Sequence, residues 1–237
     1  MSNIHGFSSL QDRSRQPLVD RQQQSSNSII RFGRFNSDGS VQNMTCFQAF
    51  FPDFKKNSFT FFISIIQFAV FIITQAYAFF LNNDSFGCIN YKLGAKFTPA
   101  ITVFHHFHRL IFPIILHGGF MHIFFNMLGQ WFYSYRLESV YGTKKFAFLY
   151  LIAGIGGNLL SAASRTGNIS VGASSSLFGV FALYMAYLIE DPDRLGPRRH
   201  ISIIFMVLLL LSNIGNATQA SNIDNSAHLG ILFLMMS

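Results

Sequence analysis

Residues 58–81 of the chain read SFTFFISIIQFAVFIITQAYAFFL, and this stretch decides the fold. It contains no charged side chain. An α-helix rises about 1.5 Å per residue, so about 20 apolar residues cross the hydrocarbon core of a bilayer, which is roughly 30 Å thick. The stretch therefore predicts a transmembrane helix.

Apolar runs of similar length recur along the 237 residues, of which half are hydrophobic, 11% are charged and 29 are Phe. This composition excludes an ordinary soluble domain. The sixth of these runs, from Ile223 onward, would form a helix only about 20 Å long at about 1.5 Å per residue, so we expect a truncated sixth helix. The sequence predicts an all-α, polytopic membrane protein with spans at Ser58–Leu81, Leu110–Tyr133, Phe146–Ser164, Gly172–Ile189, Ile201–Leu211 and from Ile223 onward.

The basic residues alternate with these spans. A cytosolic N-terminus places 13 of the 17 Lys and Arg residues inside, which is the positive-inside bias of membrane proteins. The net charge of +7 therefore needs no nucleic acid to explain it, and we expect no nucleic-acid partner. Cys46 and Cys88 fall on opposite sides of the first span, so neither a disulfide nor a metal site is expected.

The chain divides at about residue 56. Residues 1–56 are rich in Ser, Gln, Asn and Arg and predict a disordered, basic cytosolic tail, whereas 57–237 form the transmembrane domain. No apolar run precedes residue 58, so a cleaved signal is not expected, and acidic residues in the tail disfavour a mitochondrial transit peptide. We expect the secretory pathway or the plasma membrane rather than the mitochondrion.

The second span carries polar side chains in an apolar environment, where they usually face a protein interior or a wet cavity. His122 and Asn126 are one helical turn apart and share a face. His117 lies about 140° around the helix from His122 at about 100° per residue, so only His122 and Asn126 share that face.

Two further spans are expected to place polar side chains in the outer half of the membrane, together with His122 and Asn126. The fourth begins with Gly172, Ala173 and Ser174, and the sixth carries His228 near its start. A neutral imidazole can take the proton of a serine hydroxyl near pH 7, and side-chain donors can stabilise an oxyanion. The serines could instead be small packing residues, and the polar groups could be interhelical hydrogen bonders.

Four motifs together resemble the rhomboid family of intramembrane serine proteases, over roughly residues 90–231. They occur in the family's order and spacing, although each is weak alone. They read HRLIFPIILHGGFMHIFFNMLGQ, LESVYGTKKFAFLYLIAGIGGNLLSA, GASSSLFG and DNSAHLG.

The resemblance implies a six-helix bundle that uses a Ser-His dyad, without metal or organic cofactor, to cleave single-span transmembrane proteins near the outer leaflet. By position it implies Ser174 as nucleophile and His228 as its partner. His122 and Asn126 would stabilise the oxyanion. Structural support would come from His117, Gly172 and Arg109.

The chain departs from the family pattern at several positions. Ser175 stands where a glycine usually follows the nucleophile, His108 replaces the aromatic residue before Arg109, and Ile231 replaces a packing glycine. These departures, with the short sixth span, keep a second hypothesis open. It is a catalytically inactive rhomboid-like protein that binds membrane clients.

Overall fold

The computed structural model describes residues 32–35, 41–44, 51–80, 86–164, 167–190, 200 and 202–209. The described part is mostly helical. The chain divides into two units, Met1–Pro52 and Asp53–Ser237.

The first unit contains a pair of short strands, β1 (Phe32–Phe35) and β2 (Val41–Met44). They are antiparallel, with Phe32 opposite Met44 and Phe35 opposite Val41. The intervening sequence, NSDGS, is rich in turn-forming residues. These strands lie inside the segment expected to be disordered, so that expectation fails for the eight paired residues. Disorder of the rest of the tail stays a prediction.

Among its described residues, the second unit contains six helices of five or more residues up to Glu190 and two 3₁₀ turns, at Phe107–Leu110 and Phe112–Ile115. Residues 202–209 are also helical. Three predicted spans agree with helices to within a few residues. The helices are α1 (Phe59–Phe80), α2 (Phe86–Lys92), α3 (Thr98–Thr102), α4 (Phe120–Tyr141), α5 (Thr143–Ala163) and α6 (Ser174–Glu190).

The second span was predicted wrongly. Residues 110–119 are not part of its helix, because Pro113 lies in a 3₁₀ turn and the Gly118–Gly119 pair precedes the helix start at Phe120. Proline has no N–H to donate and glycine has little helix propensity. The helix continues instead to Tyr141, eight residues beyond the predicted end.

Two of these helices, α1 and α5, are long and apolar enough to cross a membrane, and α6 is apolar but has 17 residues. The fifth span is described only over 202–209, and the sixth lies outside the described residues. The count of six spans and the shortened sixth helix therefore stay predictions.

Helix α6 is central to the packing. All its residues from Ser174 to Ala182 are buried, and it packs against α5 and α4. Gly154 on α5 makes this close approach possible. A Cβ there would collide with Ser176 Oγ and would lie 2.6 Å from Ile114 Cδ1. Small residues at such contacts let membrane helices approach closely.

Glu138, near the end of α4, caps the start of α1. Its carboxylate accepts hydrogen bonds from the N–H groups of Phe59 (2.7 Å) and Thr60 (2.9 Å) and from Thr60 Oγ1 (2.8 Å). The first N–H groups of a helix have no intrahelical partner, and the helix dipole favours a negative charge there. These hydrogen bonds fix the N-terminal end of α1 against α4.

We expect Glu138→Ala to lower the free energy of unfolding by about 2 to 4 kcal/mol, because it removes three hydrogen bonds to a charged, buried group. Unfolding by SDS titration in mixed micelles measures the change. The control is Ser139→Ala, at an exposed neighbour whose hydroxyl bonds to the Arg136 carbonyl. Equal stability of the two variants would refute the capping role.

Candidate active site

The loop before α6 is held in place by backbone hydrogen bonds. Gly172 N–H donates to the carbonyl of Pro113 (2.9 Å) in the second 3₁₀ turn. Lys96 and Ser170 form an antiparallel bridge, with N–H···O distances of 2.9 and 3.0 Å in the two directions. The loop before α6 is therefore hydrogen-bonded to two separate parts of the chain, at Pro113 and at Lys96.

Ser174 is the first residue of α6, and only 6% of it is exposed. Backbone N–H groups in the first turn of a helix have no intrahelical acceptor. A serine at this position can therefore present its hydroxyl beside backbone donors, which is the arrangement that nucleophilic attack on a carbonyl requires.

Gly172 brings Ser174 and His122 to one place. Its φ is +131°, a conformation that residues with a Cβ rarely adopt. A Cβ on Gly172 would lie 2.7 Å from both Cε1 and Nε2 of His122 and 3.4 Å from Ser174 Oγ. The imidazole of α4 and the hydroxyl of α6 thus flank the same small space, which only glycine leaves open.

The orientation of His122 follows from its other nitrogen. Gly118 N–H donates to His122 Nδ1 at 3.3 Å. In a neutral imidazole, one nitrogen accepts and the other carries the proton. Nδ1 is the acceptor, so the proton is on Nε2, the nitrogen that lies next to Gly172. His122 can therefore act as a hydrogen-bond donor toward this space.

Asn126 lies one turn further along α4 and is buried, with 1% of its surface exposed. Its Nδ2 donates to the His122 carbonyl at 2.8 Å. The amide nitrogen carries a second hydrogen. Asn126 therefore keeps one donor hydrogen beyond the bond that fixes its side chain.

His117 does not lie where the helical angles predicted. It precedes α4 and belongs to the loop that ends at Gly119, so the angle of 140° does not apply. Its ring packs edge-on against His122, with centroids 5.4 Å apart, and it is 1% exposed. His117 therefore lies beside His122, although the helical angle predicted that the two would not share a face. The angle fails because the chain is not helical at His117.

Arg109 is buried, with 6% of its surface exposed, in the segment between α1 and α4. Its Nη1 donates to the carbonyls of Tyr91 (2.9 Å) and Ala95 (2.8 Å), and its guanidinium lies 4.4 Å from the centre of the Tyr91 ring. The side chain joins α2, the turn after it and the first 3₁₀ turn. His228 lies outside the described residues, so its position relative to Ser174 stays a prediction.

The sequence comparisons bear on the family of the chain. A model of the rhomboid domain matches residues 105–234, more than half of the chain. Rhomboid-like protease 1 of Toxoplasma gondii is 32% identical over 187 residues, 76% of this chain and 62% of that protein. Rhomboid protease GluP of Bacillus subtilis (strain 168) is 35% identical over 167 residues, 68% of this chain and 32% of that protein.

RHOMBOID-like protein 1 of Arabidopsis thaliana is 32% identical over 139 residues, 59% of this chain. The chain spans less than two thirds of the length of each of these relatives. The rhomboid domain and the apolar helices indicate a membrane protein. The match over residues 105–234, together with these relatives, shows that the chain belongs to the rhomboid family.

Proposed function

We propose that this chain is an intramembrane serine endopeptidase that cleaves single-span transmembrane proteins. Family membership and the names of two relatives, a rhomboid-like protease and a rhomboid protease, support this proposal. The observation that carries it is the shared space at Gly172, which is flanked by Ser174 Oγ and by His122 Nε2. A packing serine has no need of an imidazole donor across such a gap.

The mechanism assigns a role to each group. Ser174 Oγ attacks the scissile carbonyl carbon and gives its proton to His228. The carbonyl oxygen becomes an oxyanion, which accepts hydrogen bonds from His122 Nε2, Asn126 Nδ2 and the Ser174 N–H. The C–N bond then breaks as His228 returns the proton to the leaving amine. Water, with His228 as base, releases the acyl group from Ser174.

The surroundings of the site are part of the proposal. Cleavage takes place near the outer leaflet, with the N-terminus and the tail of residues 1–56 in the cytosol, and the protein resides in the secretory pathway or the plasma membrane. The distribution of Lys and Arg supports this orientation. Substrates reach the site from the bilayer, and no cofactor or nucleic acid takes part. Arg109, His117 and Gly172 support the site structurally.

The rival is an inactive rhomboid-like protein that binds membrane clients. Ser175 favours it, since this residue is 5% exposed and adds a buried side chain directly after Ser174. A fluorophosphonate probe separates the two functions because it reacts with activated serines. Labelling of the wild-type protein supports the protease, and a protein that binds clients but stays unlabelled is the inactive relative.

Asn126→Ala is expected to raise the activation free energy by about 2 to 4 kcal/mol, because one oxyanion donor is lost. The measurement is kcat for a model transmembrane substrate in liposomes, where KM should change little. The melting temperature of the variant is measured as well, because a loss of stability large enough to explain the lower rate would refute the oxyanion role of Asn126.

A further inference from the structure

Three polar side chains meet in the interior of the bundle, and the proposed mechanism uses none of them. They are Gln67 of α1, Gln130 of α4 and Tyr150 of α5, and none of them is more than 1% exposed. Polar groups within apolar helices are costly unless they are bonded to one another. Three helices that each contribute one such group point to a specific function for the cluster.

The three side chains form a closed ring of hydrogen bonds. Gln67 Nε2 donates to the Tyr150 hydroxyl (3.2 Å), which donates to Gln130 Oε1 (2.6 Å). Gln130 Nε2 donates to Gln67 Oε1 (2.9 Å) and to Ser64 Oγ (2.8 Å). Each amide nitrogen has two hydrogens and each carbonyl oxygen in the ring has a donor, so the ring holds both amides in one orientation.

The ring makes one bond to the segment that supports the active site. Gln67 Nε2 donates its other hydrogen to the carbonyl of Ile114 at 3.0 Å. Ile114 lies in the second 3₁₀ turn, is 1% exposed, and its side chain fills the space beside Gly154. The amide of Gln67 therefore holds this turn against α1.

The same 3₁₀ turn is hydrogen-bonded to the loop that precedes Ser174. The carbonyl of Pro113, the residue before Ile114, accepts the Gly172 N–H at 2.9 Å. Gly172 in turn lies against His122 and Ser174. A continuous path thus leads from Gln67 through two adjacent peptide groups to the space between the candidate oxyanion donor and the candidate nucleophile.

We propose that Gln67 is a positioning residue for the reaction, held by Gln130 and Tyr150 and acting through the Ile114 carbonyl on the Gly172 loop. This role rests on the proposed protease function. Catalysis is sensitive to displacements of about 1 Å, which can cost about 100-fold in rate. Within the polar ring, the bond from Gln67 to the Ile114 carbonyl is the one that positions the Gly172 loop between Ser174 and His122.

The test compares two variants of the full chain. Gln67→Met keeps the size of the side chain but removes the bond to Ile114 and the two bonds within the ring. Tyr150→Phe removes two ring bonds and leaves the bond to Ile114. Hydrogen exchange of the Gly172 amide, read from peptides covering 167–176, should become about tenfold faster in Gln67→Met. It should stay near the wild-type rate in Tyr150→Phe.

The rate of fluorophosphonate labelling supplies the second readout. We expect it to fall about 10- to 100-fold in Gln67→Met and no more than about threefold in Tyr150→Phe, at matched melting temperatures. Loop exchange that is equal in the two variants overturns the positioning role. If Gln67→Met does not fold, Gln67→Leu removes the same donors and gives the same comparison. An unlabelled wild-type protein counts against the protease function, whereas the exchange rates still decide the role of Gln67.

Discussion

Ser174→Ala abolishes both fluorophosphonate labelling and cleavage of a model transmembrane substrate if the proposed mechanism is correct. Removing the nucleophile of a serine protease leaves only the contribution of binding and oxyanion stabilisation, and the loss in kcat reaches about 10⁶-fold in the best-studied case. Labelling followed by gel fluorescence, with cleavage in liposomes, measures the effect. The buried hydroxyl is small, so the fold itself should persist in the variant.

The two neighbouring serines provide matched controls. Ser175 and Ser176 are buried in the same first turn of α6, and Ser176 packs against Gly154. Ser175→Ala and Ser176→Ala each remove one oxygen from the same helix and should keep measurable activity. An inactive Ser176→Ala protein together with an active Ser174→Ala protein would show that the nucleophile has been assigned to the wrong residue.

Gly172→Ala is the second change with a large expected effect. The new methyl group would lie 2.7 Å from the His122 ring, and the φ of +131° is strained for any residue with a Cβ. Gly118 holds His122 from the other side, so the ring has to give up that bond in order to move. We expect cleavage and labelling to fall at least about 100-fold.

Gly167→Ala is the control for this change. Gly167 lies in the same loop between α5 and α6, and a Cβ there meets nothing within 4 Å. The activity of Gly167→Ala should stay within about twofold of wild type, because surface substitutions usually change stability by no more than about 0.5 kcal/mol. Full activity of Gly172→Ala would mean that the contact between His122 and the Gly172 loop is not part of the working site.

The limits of prediction are clearest in the second span. Hydropathy predicted one helix from Leu110, because residues on both sides of Pro113 are apolar and periodicity alone does not separate a 3₁₀ turn from an α-helix. The helix begins after Gly118 and Gly119, whose low helix propensity is a signal that hydropathy alone does not register. By contrast, α1, α5 and α6 follow their apolar runs closely, since none of these helices contains a proline.

The start of α6 was predictable from the sequence, but the contacts around it were not. The Gly-Ala-Ser sequence predicted a serine at a helix start, and Ser174 is the first residue of α6. The position of His122 beside Gly172 depends on how α4 and the loop before α6 pack together, and sequence spacing contains no such information. Gln67 and Gln130 were missed although each is a polar residue in an apolar run, the same signal that identified His122 and Asn126.

The most direct test of the central claim is to map the fluorophosphonate adduct on the wild-type chain by peptide mass spectrometry. We expect a single modified residue, Ser174, and no adduct when His228→Ala is treated in the same way, because the hydroxyl then lacks its base. An adduct on Ser175 or Ser176, or equal modification of Ser174 with and without His228, would contradict the proposed Ser174–His228 pair.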